Sequence, residues 1–497
     1  MYSLLGIDLG TSSVRATVMD EKGCILGIAQ KEYQYDIPEP GWAEQDPEVW
    51  WEATVSAIRE VISTIDVSRL VGVGFSGQMH ALLPLGKNGI PLRNSIIWCD
   101  KRSQKQVDEI YRNLGKNAIA RICHSPVGTG FLLPSLLWMK EQEPQVFREV
   151  RCFVLPKDYI RFKLTGIAAT DVSDAAGTLL FDVTKGVWSS EILEAFSISP
   201  SILPKVGIPQ EKAGYVTKQA SKETHLPAGI PCVYGGADQV MQAIGNGIVR
   251  PGEVSVTIGT GGQLLSILDA PLIDKTYSSH CFNFVGRDSW YFLGASLNGG
   301  YTLKWIRKIL GDAESYPEID RIAEKVPAGS GRLLFLPYLN GERTPYMDSN
   351  ASGIFIGLQN YHTRAHIYRA VMEGITFAMK DCMHVLMDNL TTPVKYVVSS
   401  GGASTSQFWL QMEADVFGLP VYVSAMREQA SVGAAITAGV GVGLFDSFQN
   451  ACKEITHWKP EPIQPCADSV EKYKNFYALY RELYQKNKAI MHRLAEM

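Results

Sequence analysis

The chain has 497 residues, 46% of them hydrophobic and 20% charged, with a formal net charge of −4. That length is more than one hydrophobic core serves, so two or more domains are expected. The composition is that of a soluble globular protein, and the charge balance speaks against nucleic-acid binding and against attraction to anionic membranes.

The nine cysteines are dispersed with no Cys-x-x-Cys pair. This reads as reduced thiols in a cytoplasm rather than a disulfide framework or zinc site. No basic residue precedes Arg15, so no signal peptide is expected. Asn389-Leu390-Thr391 fits a glycosylation sequon and, without secretion, carries no weight.

In chain order, the first element is a short apolar strand at residues 2–7 that ends at Asp8. A polar turn follows, Gly10-Thr11-Ser12-Ser13, and Val14, Ala16 and Val18 alternate as a second strand. A carboxylate at a strand end beside a Gly-Thr-Ser turn is a place to hold a metal-bound phosphate. The turn supplies donors and Asp8 supplies oxygens to Mg²⁺. An ordinary hairpin capped by a polar residue fits the same residues. Arg15 either reaches a phosphate or is a solvated strand residue.

Gly72-Val-Gly-Phe-Ser-Gly77 fits G-x-G-x-x-G, but Val71, Val73 and Phe75 alternate as a strand and Pro84 follows. A dinucleotide fingerprint needs a helix there, so a nicotinamide enzyme is rejected. No Walker loop is present, which excludes a P-loop kinase. At Tyr234-Gly235-Gly236-Ala237-Asp238-Gln239 an apolar strand ends in small residues and a helix starts. From the residues alone Asp238 reads as that helix's N-cap.

The hairpin pattern recurs at residues 254–265, where a strand meets Gly259-Thr260-Gly261-Gly262 and a second strand follows. Two such hairpins half a chain apart suggest two related halves, residues 1–244 and 245–497. The seam falls near Gly245-Asn246-Gly247, where glycines tolerate large backbone changes. A third turn, Ser400-Gly401-Gly402-Ala403-Ser404, follows a strand at 394–399 and leads into a helix over 407–416. Its missing side chains let a flat ligand such as a nucleoside lie on the backbone. Residues 432–445 are a short, glycine-rich run, read as packed helix and turn rather than a membrane span. Residues 470–497 have the spacing of an amphipathic surface helix.

The ordered set Asp8-Leu9-Gly10-Thr11, Gly259-Thr260-Gly261 and Ser400-Gly401-Gly402-Ala403 resembles the actin-like ATPase fold. Longer blocks narrow the resemblance to the FGGY carbohydrate kinases, and within them to the branch that phosphorylates xylulose. They include Trp42-Ala-Glu-Gln-Asp-Pro-Glu48, Ser76-Gly-Gln-Met-His80, Trp98-Cys-Asp-Lys-Arg102, Leu155-Pro-Lys-Asp-Tyr159 and Ser173-Asp-Ala-Ala-Gly-Thr178. Gly235-Gly-Ala-Asp238, Pro337-Tyr-Leu-Asn-Gly-Glu-Arg-Thr-Pro345 and Ala370-Val-Met-Glu-Gly374 follow in family order.

The resemblance implies an α/β fold of two ribonuclease-H-like domains with an active-site cleft between them. Residues 1–244 would bind sugar and carry the first phosphate loop, and residues 245–497 would bind the nucleotide. The implied activity is ATP- and Mg²⁺-dependent phosphorylation of a ketopentose, D-xylulose to D-xylulose 5-phosphate. Asp238 would accept the proton of the sugar hydroxyl, and Asp8 would position metal and phosphate. Gln78, Met79, His80, Asp238 and Gln239 would form the sugar set. Thr11, Ser12, Gly259 and Thr260 would contact phosphate, and Gly401, Gly402 and Ala403 would cradle the nucleoside. On residue type alone His80 is equally a satisfied, partly buried histidine and Met79 a core gap-filler. Asp100 with Arg102 reads as a structural ion pair, and Glu342 with Arg343 as a fold-holding turn.

Four positions depart from the family pattern. Ser135 stands where a lysine is usual, Gln239 where Asn is common, and Ala403 and Thr405 replace a glycine and a basic residue. They leave open a neighbouring substrate of ribulose, gluconate or glycerol type. A chaperone- or filament-type ATPase is a further alternative. The blocks around His80 and Glu342, and the lack of a separate peptide-binding domain, stand against it. A small-molecule sugar is the expected partner, with a second copy of the chain as an open option; nucleic acid and membrane are not expected.

Overall fold

The computed structural model describes residues 2–311, 314–390, 392–426 and 428–497. Thr391 of the sequon lies outside them. The chain forms two compact units. One comprises Met1–Val249, Cys281–Tyr291 and Met426–His457, and the other Arg250–His280, Phe292–Ala425 and Trp458–Met497. The units are therefore not the two halves of the sequence in order, because a segment beyond residue 425 returns to the first.

In the first unit a mixed sheet runs in the order Lys212–Tyr215, Pro231–Val233, Leu70–Gly77, Ser3–Leu9, Ser13–Asp20, Ile25–Glu32. Ser3–Leu9 pairs antiparallel with Ser13–Asp20 and parallel with Leu70–Gly77, which sets Asp8 opposite Arg15 on one side and Ser76 on the other. The Gly72–Gly77 glycines thus lie within a strand, as the alternation of Val71, Val73 and Phe75 predicts. The strand bearing Asp8 runs one residue further than expected, through Leu9, because the ladder continues to Gly77.

Both faces of this sheet are covered. The helix Pro47–Ile62 is started by Asp46, whose side chain accepts the Glu48 N–H, and by proline in its first turn. It buries Trp50, Ala57, Ile58 and Val61. The opposite face takes the helix Gln429–Gly441. A Cβ on Gly6 would lie 1.8 Å from the Ser431 carbonyl oxygen, and one on Gly74 1.8 Å from that of Ala434. These strand glycines exist because backbone meets backbone there. Thr17 Oγ1 and Ser431 Oγ, 2.7 Å apart, complete the contact. Gly245 belongs to the same packing, since its Cβ would lie 1.9 Å from the Gln429 carbonyl oxygen. Close approach, rather than freedom to swivel, requires the glycine at that end of the expected seam. A second apolar core of this unit gathers residues such as Leu82, Ile110, Leu133, Leu136, Phe153 and Leu180.

In the second unit the sheet includes, in order, Trp290–Ser296, Gly262–Leu268, Glu253–Ile258, Tyr396–Gly401 and Val421–Val423. The Glu253–Ile258 and Gly262–Leu268 strands form the second hairpin. The strand before the glycine turn sits two residues later than expected, at Tyr396–Gly401, in register with Glu253–Ile258. The helix Gln407–Phe417 starts where Ser406 accepts the Trp409 N–H at 3.0 Å and stops at left-handed Gly418. The C-terminal helix Ala467–Ala495 is docked by tyrosine hydroxyls. Tyr473 donates to Glu373 (2.9 Å), Tyr477 to Asp381 (2.6 Å) and Tyr484 to Asp348 (2.7 Å). Among the described residues no helix is long and apolar enough to cross a membrane.

Candidate active site

The first hairpin is held by a relay of hydrogen bonds. Ser76 donates to Asp8 Oδ1 at 2.7 Å, and Tyr33 donates to the Gly10 carbonyl at 2.7 Å. Gln45 donates to the Thr11 carbonyl (2.7 Å) and accepts from Gln78 (2.8 Å). The Trp98 indole donates to Thr11 Oγ1 at 2.9 Å. Thr11 is half-buried and Ser12 is exposed at the tip. Arg15 is part-exposed but not loose: it pairs with Glu428 at 2.7 Å and donates to Gln30 at 2.6 Å.

Asp238 is the first residue of the helix Asp238–Gly245. The N-cap position expected for it belongs to Ala237, which has no capping side chain. Asp238 is half-buried. Burial first, and then the charge of Asp8, push its carboxyl up to about 7, against hydrogen bonds from Gln239. Asp8 is raised as well, by burial, with Ser76 and Arg15 opposing the rise. These carboxylates, 230 positions apart in sequence, thus share one electrostatic neighbourhood.

Gln78 and Met79 are buried, and His80 is half-buried with φ at 71°. The His80 ring is fixed by its Nδ1, 2.8 Å from the Gly177 carbonyl oxygen, and by Phe131, whose ring centroid is 4.1 Å away. Gly177 admits no side chain without crowding, because its Cβ would lie 3.0 Å from His80 Nδ1 and 3.1 Å from Met79 Cε. The Tyr291 hydroxyl lies 4.0 Å from Met79 Sδ. Burial, with Asp238 and Asp174 nearby, pushes that phenol well up. Tyr291, Phe131 and Gly177 escaped the sequence reading. Gly177 stood in a recognised block; Tyr291 and Phe131 carried no motif.

The second unit holds a cavity of about 430 Å³, within the ordinary range for small-molecule sites. Gly259, Thr260, Gly402 and Ala403 line it together with Thr405, and Tyr301, Lys304, Asp320 and Trp409 join them. The Gly259–Gly261 loop is anchored on the start of the helix Gly300–Ile309. Gly300 N–H donates to the Gly259 carbonyl at 2.7 Å, and Tyr301 N–H to that of Thr260 at 3.1 Å. A Cβ on Gly299 would lie 2.3 Å from the Gly261 carbonyl oxygen, whereas one on Gly259 would meet nothing within 4 Å. The loop is packed behind and open in front. Gly401 does not line the cavity; exposed and with φ at 80°, it makes the turn that leads into Gly402.

The remaining sequence candidates have structural surroundings. Buried Arg102 pairs with Asp100 (2.8 Å) and Glu44 (2.6 Å), its guanidinium 3.7 Å from the Trp42 ring centre. Glu342 accepts from Ser296 Oγ (2.7 Å), Leu297 N–H (3.1 Å) and Arg343 N–H (2.8 Å), fastening the turn that leads to Gly299. Ser135 is buried in its helix.

Two α/β units, each with a strand–Gly-Thr–strand loop, define a class that comparison with known proteins makes specific. The pattern of the N-terminal domain of the FGGY family of carbohydrate kinases matches residues 3–245, and that of its C-terminal domain residues 254–442. A xylulose kinase of Lactococcus lactis subsp. lactis (strain IL1403) is 36% identical over 100% of this chain and 99% of its own. The ligand-bound xylulose kinase from Lactobacillus acidophilus has a TM-score of 0.95 at 28% identity, covering 99% of this chain and 100% of that one. Gluconate kinase from Lactobacillus acidophilus has a TM-score of 0.94 at 28% identity, with 99% of each chain covered. The chain belongs to the FGGY family of carbohydrate kinases, and its fold is their two-domain actin-like ATPase fold.

Proposed function

We propose that the protein phosphorylates a ketopentose, converting D-xylulose to D-xylulose 5-phosphate with ATP. The observation that supports this most is the convergence on one short helix, Val172–Ala176, of two sequence-distant parts of the sugar set. Its end carries the Gly177 carbonyl that fixes His80, and its Ser173 Oγ accepts the N–H of Ala237, next to Asp238, at 3.0 Å. The full-length likeness to xylulose kinases supplies the choice of sugar.

In this reading residues 1–244 bind the sugar and residues 245–497 the nucleotide. Asp238 accepts the proton of the attacking hydroxyl; a carboxyl near 7 is matched to that task at neutral pH. Gln78, Met79, His80 and Gln239 orient the sugar. Thr11, Ser12, Gly259 and Thr260 hold phosphate oxygens, and the cavity bounded by Gly402 and Ala403 holds the nucleoside. Asp8 suits Mg²⁺: Ser76 fixes one oxygen of a half-buried carboxylate beside a second one, a hard donor set. Bound there, Mg²⁺ would neutralise phosphate charge.

A coupled ADP-release assay across pentuloses, pentitols, hexuloses, glycerol and gluconate tests the proposal. D-xylulose is expected to give the highest kcat/KM, and Asp238→Asn to lower kcat about a hundredfold or more with little change in either KM. An enzyme that ignores every sugar, or an Asp238→Asn variant with wild-type kcat, would refute it. Gluconate is the second reading, favoured by the nearly equal structural likeness to a gluconate kinase. Gluconate giving the highest kcat/KM would select it.

A further inference from the structure

We propose that Lys157 is a positioning residue that fixes both parts of the candidate sugar site without touching sugar. The proposal rests on the assignment of Asp238 as the base.

Lys157 lies on the helix Pro156–Thr165, and its side chain is wholly buried. A buried ammonium persists only when paired. Lys157 Nζ meets three carboxylates, Asp158 at 2.7 Å, Asp171 at 2.7 Å and Asp174 at 2.9 Å. The three carboxylates lie within 4.8 Å of one another, the spacing of a cation site, and the ammonium sits on all three. Arg161 adds a second cation, 2.8 Å from Asp158. Two cations face three carboxylates, so the cluster is neutral when one acid keeps its proton. Burial and the neighbouring acids push Asp174 well up, which makes it that acid.

The cluster connects outward in two directions. Asp171 caps the helix Val172–Ala176, accepting the Ser173 N–H at 2.8 Å and the Ser173 hydroxyl. Ser173 Oγ in turn accepts the Ala237 N–H at 3.0 Å, one residue before Asp238. Arg161 donates to the Tyr234 carbonyl at 2.7 Å, four residues before Asp238. At its other end the same helix presents the Gly177 carbonyl to His80. The Lys157 stem also packs where a Cβ on Gly77 would lie, 2.9 Å away, immediately before Gln78. The buried Lys157 side chain, through its ion cluster and its stem, therefore sets the backbone under Asp238, the turn under His80 and the strand end before Gln78. Such a network contributes fixed geometry more than stability.

The test uses Ser173→Ala, which removes the link to Ala237 and leaves every charge in place, with Lys157→Met as the stronger lesion. kcat, the KM values for ATP and for the best sugar of the assay panel, and Tm are measured beside Asp238→Asn. Ser173→Ala is expected to lower kcat about tenfold while KM for ATP stays within about twofold; Lys157→Met is expected to lower kcat further and raise the sugar KM. A Ser173→Ala enzyme with wild-type kcat, beside an inactive Asp238→Asn, overturns the positioning role alone. A Ser173→Ala enzyme whose kcat and ATP KM worsen together, with a collapsed Tm, reduces the link to a folding contact and also overturns it. An active Asp238→Asn overturns the base assignment beneath it.

Discussion

His80 sits at a left-handed φ of 71°, a conformation that costs a non-glycine residue roughly 1–2 kcal/mol. The surroundings hold it there through the Gly177 carbonyl and Phe131, which aims one ring rather than filling a void. Removing that ring is expected to act on sugar and not on nucleotide. His80→Ala should raise the sugar KM about ten- to a hundredfold, the loss of a hydrogen bond worth about 1–3 kcal/mol, with KM for ATP nearly unchanged. Initial-rate kinetics in both substrates would show it, and equal rises in both constants would make His80 a folding residue. At this scale the sequence exposed the groups whose type and neighbours are distinctive, Asp8 and Asp238 above all. It hid their partners. Ser76 reaches Asp8 because strand register sets them side by side, and Glu428 meets Arg15 from a segment more than 400 residues away. Neither partner is signalled by local spacing.

The helix Gln407–Phe417 was legible because its signals are local: Ser406 at the start, Gly418 at the end. What it buries was not. Glu413 faces inward with no exposure, and burial pushes its carboxyl up to about 8, with only a hydrogen bond involving Ser399 in opposition. In the unfolded chain the same group titrates at its ordinary value, near 4.5. Between those values the unfolded form has lost its proton and the folded form keeps it. Stability from this group is therefore full at low pH, declines as pH rises from about 4.5, and is gone above about 8. Glu413→Gln keeps the shape and removes the titration. Its Tm should change less with pH than wild type between 5 and 9, and it should be the more stable protein at pH 8, by about 1–3 kcal/mol. Parallel Tm curves for the two proteins would mean that Glu413 is ionised in the folded state.

For the whole molecule, the class of fold was readable because both glycine hairpins and the blocks around them keep a recognisable order. The assembly of the first unit was less readable. Its covering helix, Gln429–Gly441, comes from residues that follow most of the second unit in sequence, and a helix does not announce which sheet it will cover. The sign was present in Gly6 and Gly74, strand glycines that mark a close backbone approach. A fragment of residues 1–249 is accordingly expected to be insoluble or molten, with its sheet face bare. Supplying residues 426–457, by linker or as a peptide, is expected to restore a cooperative melt. A folded, cooperative 1–249 fragment would show the returning helix to be dispensable.

That same return sets a schedule for the newborn chain. Thr17 finds Ser431 across 414 residues, so the contact cannot form until nearly the whole polypeptide has been made. At roughly 5–20 residues per second, the ribosome needs about 10–40 s to pass from residue 249 to residue 457. Throughout that interval one face of the first sheet is synthesised but uncovered, presenting Leu4 and the bare backbone at Gly6, Gly72 and Gly74 to solvent. The second unit has no such wait beyond its own C-terminal helix. The first strands to be synthesised therefore wait longest for their cover. Arrested chains ending between these two points should be captured by chaperones through their earliest residues.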